Sequence, residues 1–191
     1  MANGNTLKDA EIMKKVAGYD SRALEQLYDR YAPILYTLVL KIVTDKQTAE
    51  EVLSDVFVII WKNIELFDFK TNNVYTWLIM LARNKAIDIL NRKAGKVTEP
   101  YTTAYEKEKI IPKLSQEIEA AELDDVLSKR ENIESAMGSL TDAQRYVLEL
   151  SYFGGLDEAE IASKLNIPAM TVKSKLQVAV GNLMKKLSEV K

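Results

Sequence analysis

Residues 156–176 read LDEAEIASKLNIPAMTVKSKL, and the way this stretch parses decides the fold. Asp157 followed three residues later by Glu160 is a helix-start pattern, and Ile161, Ala162 and Leu165 give the short helix behind it one apolar face. Asn166, Ile167 and Pro168 then form a turn. A longer helix runs from about Ala169 to Leu187, with Val172, Leu176, Val180, Leu183 and Leu187 as its apolar stripe. Small Ala162 permits a close crossing and Ile167 plugs the turn, which is the pattern of a helix-turn-helix. Met170, Thr171, Lys173, Ser174, Lys175 and Gln177 are left near the start of the second helix, mostly off its buried stripe. These residue types reach phosphates and base edges. An ordinary solvated helical hairpin shares the pattern, but local charge favours the DNA reading. Residues 166–191 carry five lysines against Glu189, a net +4, whereas residues 131–165 carry a net −5.

Working outward, Thr141 and Gln144 fit a capping box ahead of a helix to about Tyr152, which Gly154 and Gly155 stop. Upstream, residues 7–94 read as four helices. The first ends at Gly18, and the second starts near Asp20 or Ser21 and carries Leu24, Leu27, Tyr28, Tyr31, Leu35, Leu38 and Ile42 at helical spacing. Pro33 inside it is expected to kink or divide it. The third spans about 48–67 and the fourth about 73–93. Residues 96–117 hold Pro100, Pro112, Tyr101, Tyr105 and mixed charge, with no sustained apolar period. The expected architecture is therefore all-α, with two helical lobes: residues 1–95, a linker at 96–122, and residues 123–191.

Composition agrees. Among 191 residues, 47% are apolar and 28% charged, and only 7 Gly and 4 Pro interrupt the helices. The absence of Cys and His removes disulfides, thiolate zinc sites, cysteine nucleophiles and the usual neutral-pH general base. The longest unbroken apolar run, residues 56–61, has six residues against the roughly 20 needed to span a bilayer, and the start lacks a signal pattern, so a cytoplasmic location is expected. A formal charge of −2 argues at first sight against a free-standing nucleic-acid binder.

Two further helices carry candidate surfaces. In the third, Val52, Leu53, Val56, Phe57, Ile60 and Ile64 form the buried stripe. Val58, Ile59 and Trp61 fall outside it, beside Glu50, Glu51 and Asp55, as a possible protein-docking face. In the fourth, Val74, Leu78, Leu81, Ala82 and Ile89 point inward, and Met80, Asn84, Ile87 and Asn91 point away. Residues 83–96 also carry a net +4. Exposed asparagines, cations and nearby aromatics suit the tracking of a strand and the holding of unpaired bases. Phe67, Phe69, Tyr75 and Trp77 equally suit core packing.

The segments AEEVLSDVFVIIWKN (49–63), TWLIMLARNKAIDILNRK (76–93) and LTDAQRYVLELSYFGGLDEAEIASKLNIPAMTVKSKL (140–176) resemble regions 2.2, 2.3–2.4 and 4 of extracytoplasmic-function (ECF) sigma factors. The resemblance implies a non-enzymatic promoter-specificity subunit of bacterial RNA polymerase, acting in transcription initiation without a cofactor or metal. It implies contacts of Glu51, Ser54 and Asp55 with the clamp helices of the largest core polymerase subunit. It implies recognition and melting of the −10 element by Asn84 together with Phe67, Arg83, Lys85, Asp88 and Asn91. It places Thr171, Lys173, Ser174 and Lys175 in the major groove of the −35 element. Lys175 stands where an arginine is common, and a point charge suits phosphate contact better than bidentate base reading. A cognate anti-sigma factor is a further possible partner of such a chain.

Two other readings stay open at this level. One is a conventional helix-turn-helix regulator whose first lobe senses or dimerises. The other is a magnesium enzyme using Glu117, Glu119, Glu122, Asp124 and Asp125, which lack a pocket pattern. For the sigma-factor reading, the charge of −2 averages over two +4 segments. Affinity for free DNA grows with the phosphates neutralised, so so balanced a chain is expected to bind promoters only with a partner.

Overall fold

A computed structural model describes residues 8–70, 73–114 and 122–188. The chain divides into two compact units, residues 1–123 and 124–191.

In the first unit, α1 (Asp9–Ala17), α2 (Ser21–Val43), α3 (Lys46–Asn63) and α4 (Val74–Lys93) pack together, α2 lying against each of the other three. Each start has a local cause. Asp20 caps α2 by accepting the amides of Arg22 and Ala23, and Asp45 caps α3 by accepting the Thr48 amide at 2.8 Å and its hydroxyl. Helix α1 stops at Gly18 as expected, the left-handed residue that follows is Tyr19, and its ring stands edge-on to Trp61 with centroids 5.5 Å apart. Helix α2 continues unbroken through Pro33. Pro33 lies on the exposed side, where a carbonyl deprived of its amide partner can be solvated. Helix α3 ends at Asn63, and a single 3-10 turn (Ile64–Leu66) replaces the expected last helical turn.

The core joins Val16, Leu27, Tyr31, Leu35, Val39, Val56, Ile60, Leu78 and Leu81, all essentially inaccessible. Within it lies buried Asp9, which accepts the Tyr31 hydroxyl at 2.6 Å and pairs with Arg30. Burial, followed by that bond to Asp9, pushes the Tyr31 phenol well above its usual range.

Of the stretch expected as a linker, residues 96–122, the described residues 96–114 and 122 fall within the first unit. A single turn, α5 (Thr103–Tyr105), runs into a π-turn (Glu106–Ile110) that packs on α4, and Tyr105, Ile110 and Ile111 are buried. These isolated apolar side chains set no helical period. Their burial depends on a surface supplied by α4. Glu117 and Glu119 lie outside the described residues.

Helix α6 (Leu123–Ser128) starts at the last residue of the first unit, and α7 (Arg130–Gly138), α8 (Asp142–Tyr152), α9 (Glu158–Leu165) and α10 (Ala169–Ser188) follow in the second. Both expected capping boxes form. The Gln144 amide donates to Thr141 at 3.3 Å with the reciprocal bond at 3.0 Å, and Asp157 and Glu160 exchange bonds of 2.8 and 3.1 Å. Gly154 has a steric reason to be glycine, because a Cβ there would meet the Leu150 carbonyl oxygen at 2.5 Å. Val147, Ile161 and Val172 form the inaccessible centre, ringed by Leu150, Leu156, Ala162, Leu165, Ile167 and Leu176. The expected stripe on α10 holds through Leu176 and then turns: Ala179 is buried, while Val180 and Leu187 are exposed.

Candidate nucleic-acid interfaces

The turn between α9 and α10 is built by Asn166 in the left-handed region, by the Ile167 amide returning to the Ala162 carbonyl at 3.1 Å, and by Pro168, whose carbonyl accepts the Thr171 amide at 2.9 Å. Val172 and Leu176 then fix the roll of α10, and the rest of its first two turns faces outward. Lys173, Ser174 and Gln177 are exposed, Met170 is 75% exposed, and Thr171 and Lys175 are half-buried. Among the described residues neither Lys173 nor Lys175 enters an ion pair. Their charges are uncompensated by any described carboxylate, a state compatible with phosphate contact.

The α4 candidates are disposed differently, because residues 97–111 lie across them. Asn84 donates its side-chain amide to the Ile110 carbonyl at 3.0 Å. Lys85 is only 5% exposed. Its ammonium sits 3.0 Å from Asp55 on α3 and 4.1 Å from the centre of the Tyr101 ring. Asp88, also 5% exposed, accepts the Tyr105 hydroxyl on one oxygen and Arg92 at 2.8 Å on the other. The guanidinium of Arg92 lies 4.7 Å from the Tyr105 ring centre and donates to the Glu99 carbonyl at 2.6 Å. Desolvation and then the bond to Asp88 push the Tyr105 phenol up, and desolvation and then the bond to Glu106 do the same for Tyr101. Both phenols therefore remain hydrogen-bond donors. Arg83 and Asn91 are half-buried beside an open cleft of about 160 Å³ that Asn84 and Lys109 also line.

Phe67 corrects the expectation of an available stacking ring. It is 3% exposed and packs edge-on against Phe69 at 4.9 Å and Trp77 at 5.5 Å. With Trp77, Asp68 and Pro112 it bounds a cavity of about 210 Å³. Fourth-helix residues that the spacing places outward (Met80, Asn84, Ile87, Asn91) are half-buried, partly by the same strap.

On α3, Glu51, Ser54 and Asp55 are exposed together. Glu51 accepts the Gln47 side-chain amide at 3.1 Å, and Asp55 holds Lys85. The apolar surface expected beside them is smaller than the spacing implies, because Ile59 is buried and only Val58 and part of Trp61 remain accessible. A groove of about 550 Å³ between α2 and α3 continues this face past Ser54 to Tyr28 and Tyr36. Sequence reasoning took Arg92 only as one of the cations of the +4 segment and missed Tyr101, Tyr105 and Ile110 as parts of the α4 site. The one available signal was the pair of tyrosines four residues apart, followed by Ile110, Ile111 and Pro112, inside an otherwise polar stretch.

A family model described as Sigma-70 region 2 matches residues 27–96, and one described as Sigma-70, region 4 matches residues 130–183. The ECF RNA polymerase sigma factor SigK of Mycobacterium tuberculosis (strain H37Rv) is 28% identical over 173 residues, which cover 90% of this chain and 89% of that protein. SigK of Mycolicibacterium vanbaalenii is 27% identical over 174 residues, covering 91% and 86%. The crystal structure of Rhodobacter sphaeroides SigE in complex with the anti-sigma ChrR aligns over 95% of this chain and 99% of that one, at 26% identity and a TM-score of 0.49.

Proposed function

The chain belongs to the sigma-70 family, in its ECF group, and from that premise we propose how its surfaces divide the work of a promoter-specificity subunit. It directs DNA-templated transcription initiation, with core RNA polymerase and promoter DNA as its partners. Within that function, the first turns of α10 enter the major groove of the −35 element through Thr171, Lys173, Ser174 and Lys175. The face of α4 carrying Arg83, Asn84, Lys85, Asp88 and Asn91 takes the −10 element. The exposed α3 residues Glu51, Ser54 and Asp55 meet the polymerase clamp helices.

The observation that carries this reading is the lysine pair at the head of the second helix of a helix-turn-helix, Lys173 exposed and Lys175 half-buried and neither in an ion pair among the described residues, in a chain whose two family matches follow in order. Melting is then driven by capture of unpaired bases, so the chain needs no hydrolytic step and is not an enzyme. Among the described residues no group of carboxylates is placed to hold a metal ion. No described helix is long and apolar enough to cross a membrane, and promoter recognition places the working protein in the cytoplasm. A cognate anti-sigma factor remains a proposed partner.

The test is run-off transcription with purified core polymerase on fragments of the source genome. Promoter-dependent transcripts are expected, and their absence on every fragment overturns the reading. For the polymerase contact, Glu51→Arg is a cleaner variant than Asp55→Arg. The latter also sets a second cation against Lys85 and so disturbs α4.

A further inference from the structure

Three polar side chains assigned above to −10 recognition are already in use inside the free protein. The Asn84 amide is spent in part on the Ile110 carbonyl, both Asp88 oxygens have partners, and Lys85 is held between Asp55 and a tyrosine ring. The rings of Tyr101 and Tyr105 lie on cations of α4, at 4.1 Å from Lys85 and 4.7 Å from Arg92. Aromatic faces on cations are what a strand of unpaired bases would offer the same helix. A tyrosine and a base cannot share one face of one cation.

The strap that brings these rings is a weak element on its own. It is one helical turn followed by a π-turn, residues 98–104 are exposed, and its hold on the rest of the unit is the apolar grip of Tyr105, Ile110 and Ile111 together with a few polar contacts such as the Asn63 amide to Glu106 at 3.0 Å. One of its attachments also leads to another surface. The Lys85 under Tyr101 takes its counter-charge from Asp55, which belongs to the face assigned to the polymerase.

We propose that residues 97–111 are a removable cover on the DNA-reading face of α4, occupying it as a base mimic in the free protein and lifting off when polymerase and promoter are engaged. The proposal rests on the −10 assignment of α4. Capture of Asp55 by a polymerase group removes the counter-charge that holds Lys85 beneath Tyr101, so core binding shifts the strap toward its open state. The free chain then meets DNA with Asn84, Lys85 and Asp88 engaged by the strap, a second source of the partner dependence that its balanced charge implies.

The chain contains no cysteine, so a single introduced thiol reports on the strap. Ile110→Cys places it beneath the cover, and Ala104→Cys places it on the exposed part of the same segment. In the free full-length protein, alkylation followed by mass spectrometry of this chain is expected to be slower for Ile110→Cys by at least about tenfold. In complex with core polymerase and mixed-sequence single-stranded 20-mers, that difference is expected to vanish. Equal rates in the free protein, or protection that survives in the DNA-bound complex, overturn the proposal.

Tyr105→Phe keeps the ring and removes the bond to Asp88. The free variant is expected to bind the same 20-mers about threefold tighter, because a larger fraction is open. Unchanged or weaker binding overturns the cover, the latter by making the strap part of the DNA site. Arg83→Glu, introduced into both backgrounds, tests the assignment beneath. If it leaves binding of the 20-mers unaltered in both, the −10 reading of α4 fails, whereas the labelling experiment still reports whether the strap opens.

Discussion

Lys85 and Lys173 are both helix lysines expected to face DNA, and their surroundings are opposite. Lys85 is buried between Asp55 and Tyr101 in a unit whose core runs through four helices, whereas Lys173 stands exposed on a small unit centred on Val147, Ile161 and Val172. In the second unit the scaffold and the recognition surface use different residues. In the first the same side chains serve both, so a change meant to alter recognition also alters packing. An exposed lysine can be replaced without disturbing the core. A buried paired one cannot.

The sharpest way to break this comparison is through the cores. Ile161→Ala removes one of three central side chains of the second unit and is expected to cost about 2–5 kcal/mol. Hydrogen exchange should show protection lost in α8–α10 and retained in α2 and α4; simultaneous loss in α2 and α4 would contradict the division into units. Asp9→Ala strips Tyr31 and Arg30 of a buried partner and should cost on the order of 3 kcal/mol in urea unfolding of the first unit. Thr141→Ala removes the α8 cap and is expected to cost about 1 kcal/mol. Lys173→Ala should move stability by less than about 0.5 kcal/mol. Its effect belongs to binding: the salt dependence of −35 duplex binding by the holoenzyme should weaken by about one unit of slope. Lys85→Ala, in contrast, is expected to lower both DNA binding and the melting temperature, and an unchanged melting temperature would erase the distinction drawn here.

The smallest expected effect is a pH dependence. The Thr48 hydroxyl, then its amide, holds the Asp45 carboxyl below the usual range. A lowered folded value means that this cap contributes fully above the unfolded value of about 3.9 and is lost as pH falls through the folded one. Thr48→Ala removes the larger cause, so acid unfolding followed by circular dichroism should begin at a slightly higher pH.

Legibility in the sequence followed the range of the forces. Helix starts at Asp20, Thr141 and Asp157 and the Gly154 stop depend on neighbours within four residues, and all were readable. The apolar period of α3 identified Val52, Leu53, Val56, Phe57 and Ile60 as buried but left out Ala49 and misplaced Ile59, because a helix wrapped by α2 and α4 buries more than one face. The docking of residues 97–111 was illegible for a stronger reason. Its partners lie 7 to 43 residues away, from Glu99 with Arg92 to Glu106 with Asn63, and no periodicity connects them.

By itself the sequence determined the all-helical class, the helix-turn-helix with Thr171, Lys173, Ser174 and Lys175 at its head, and the likeness to ECF sigma factors, because caps, turns and apolar spacing are short-range effects. Only the tertiary structure decided that Phe67 is a packed ring, that Asp55 and Lys85 form one pair, and that the face of α4 is covered by the segment that follows it. Those outcomes depend on which surfaces meet once the helices pack, and burial of that kind depends on distance in space, which the order of residues does not fix.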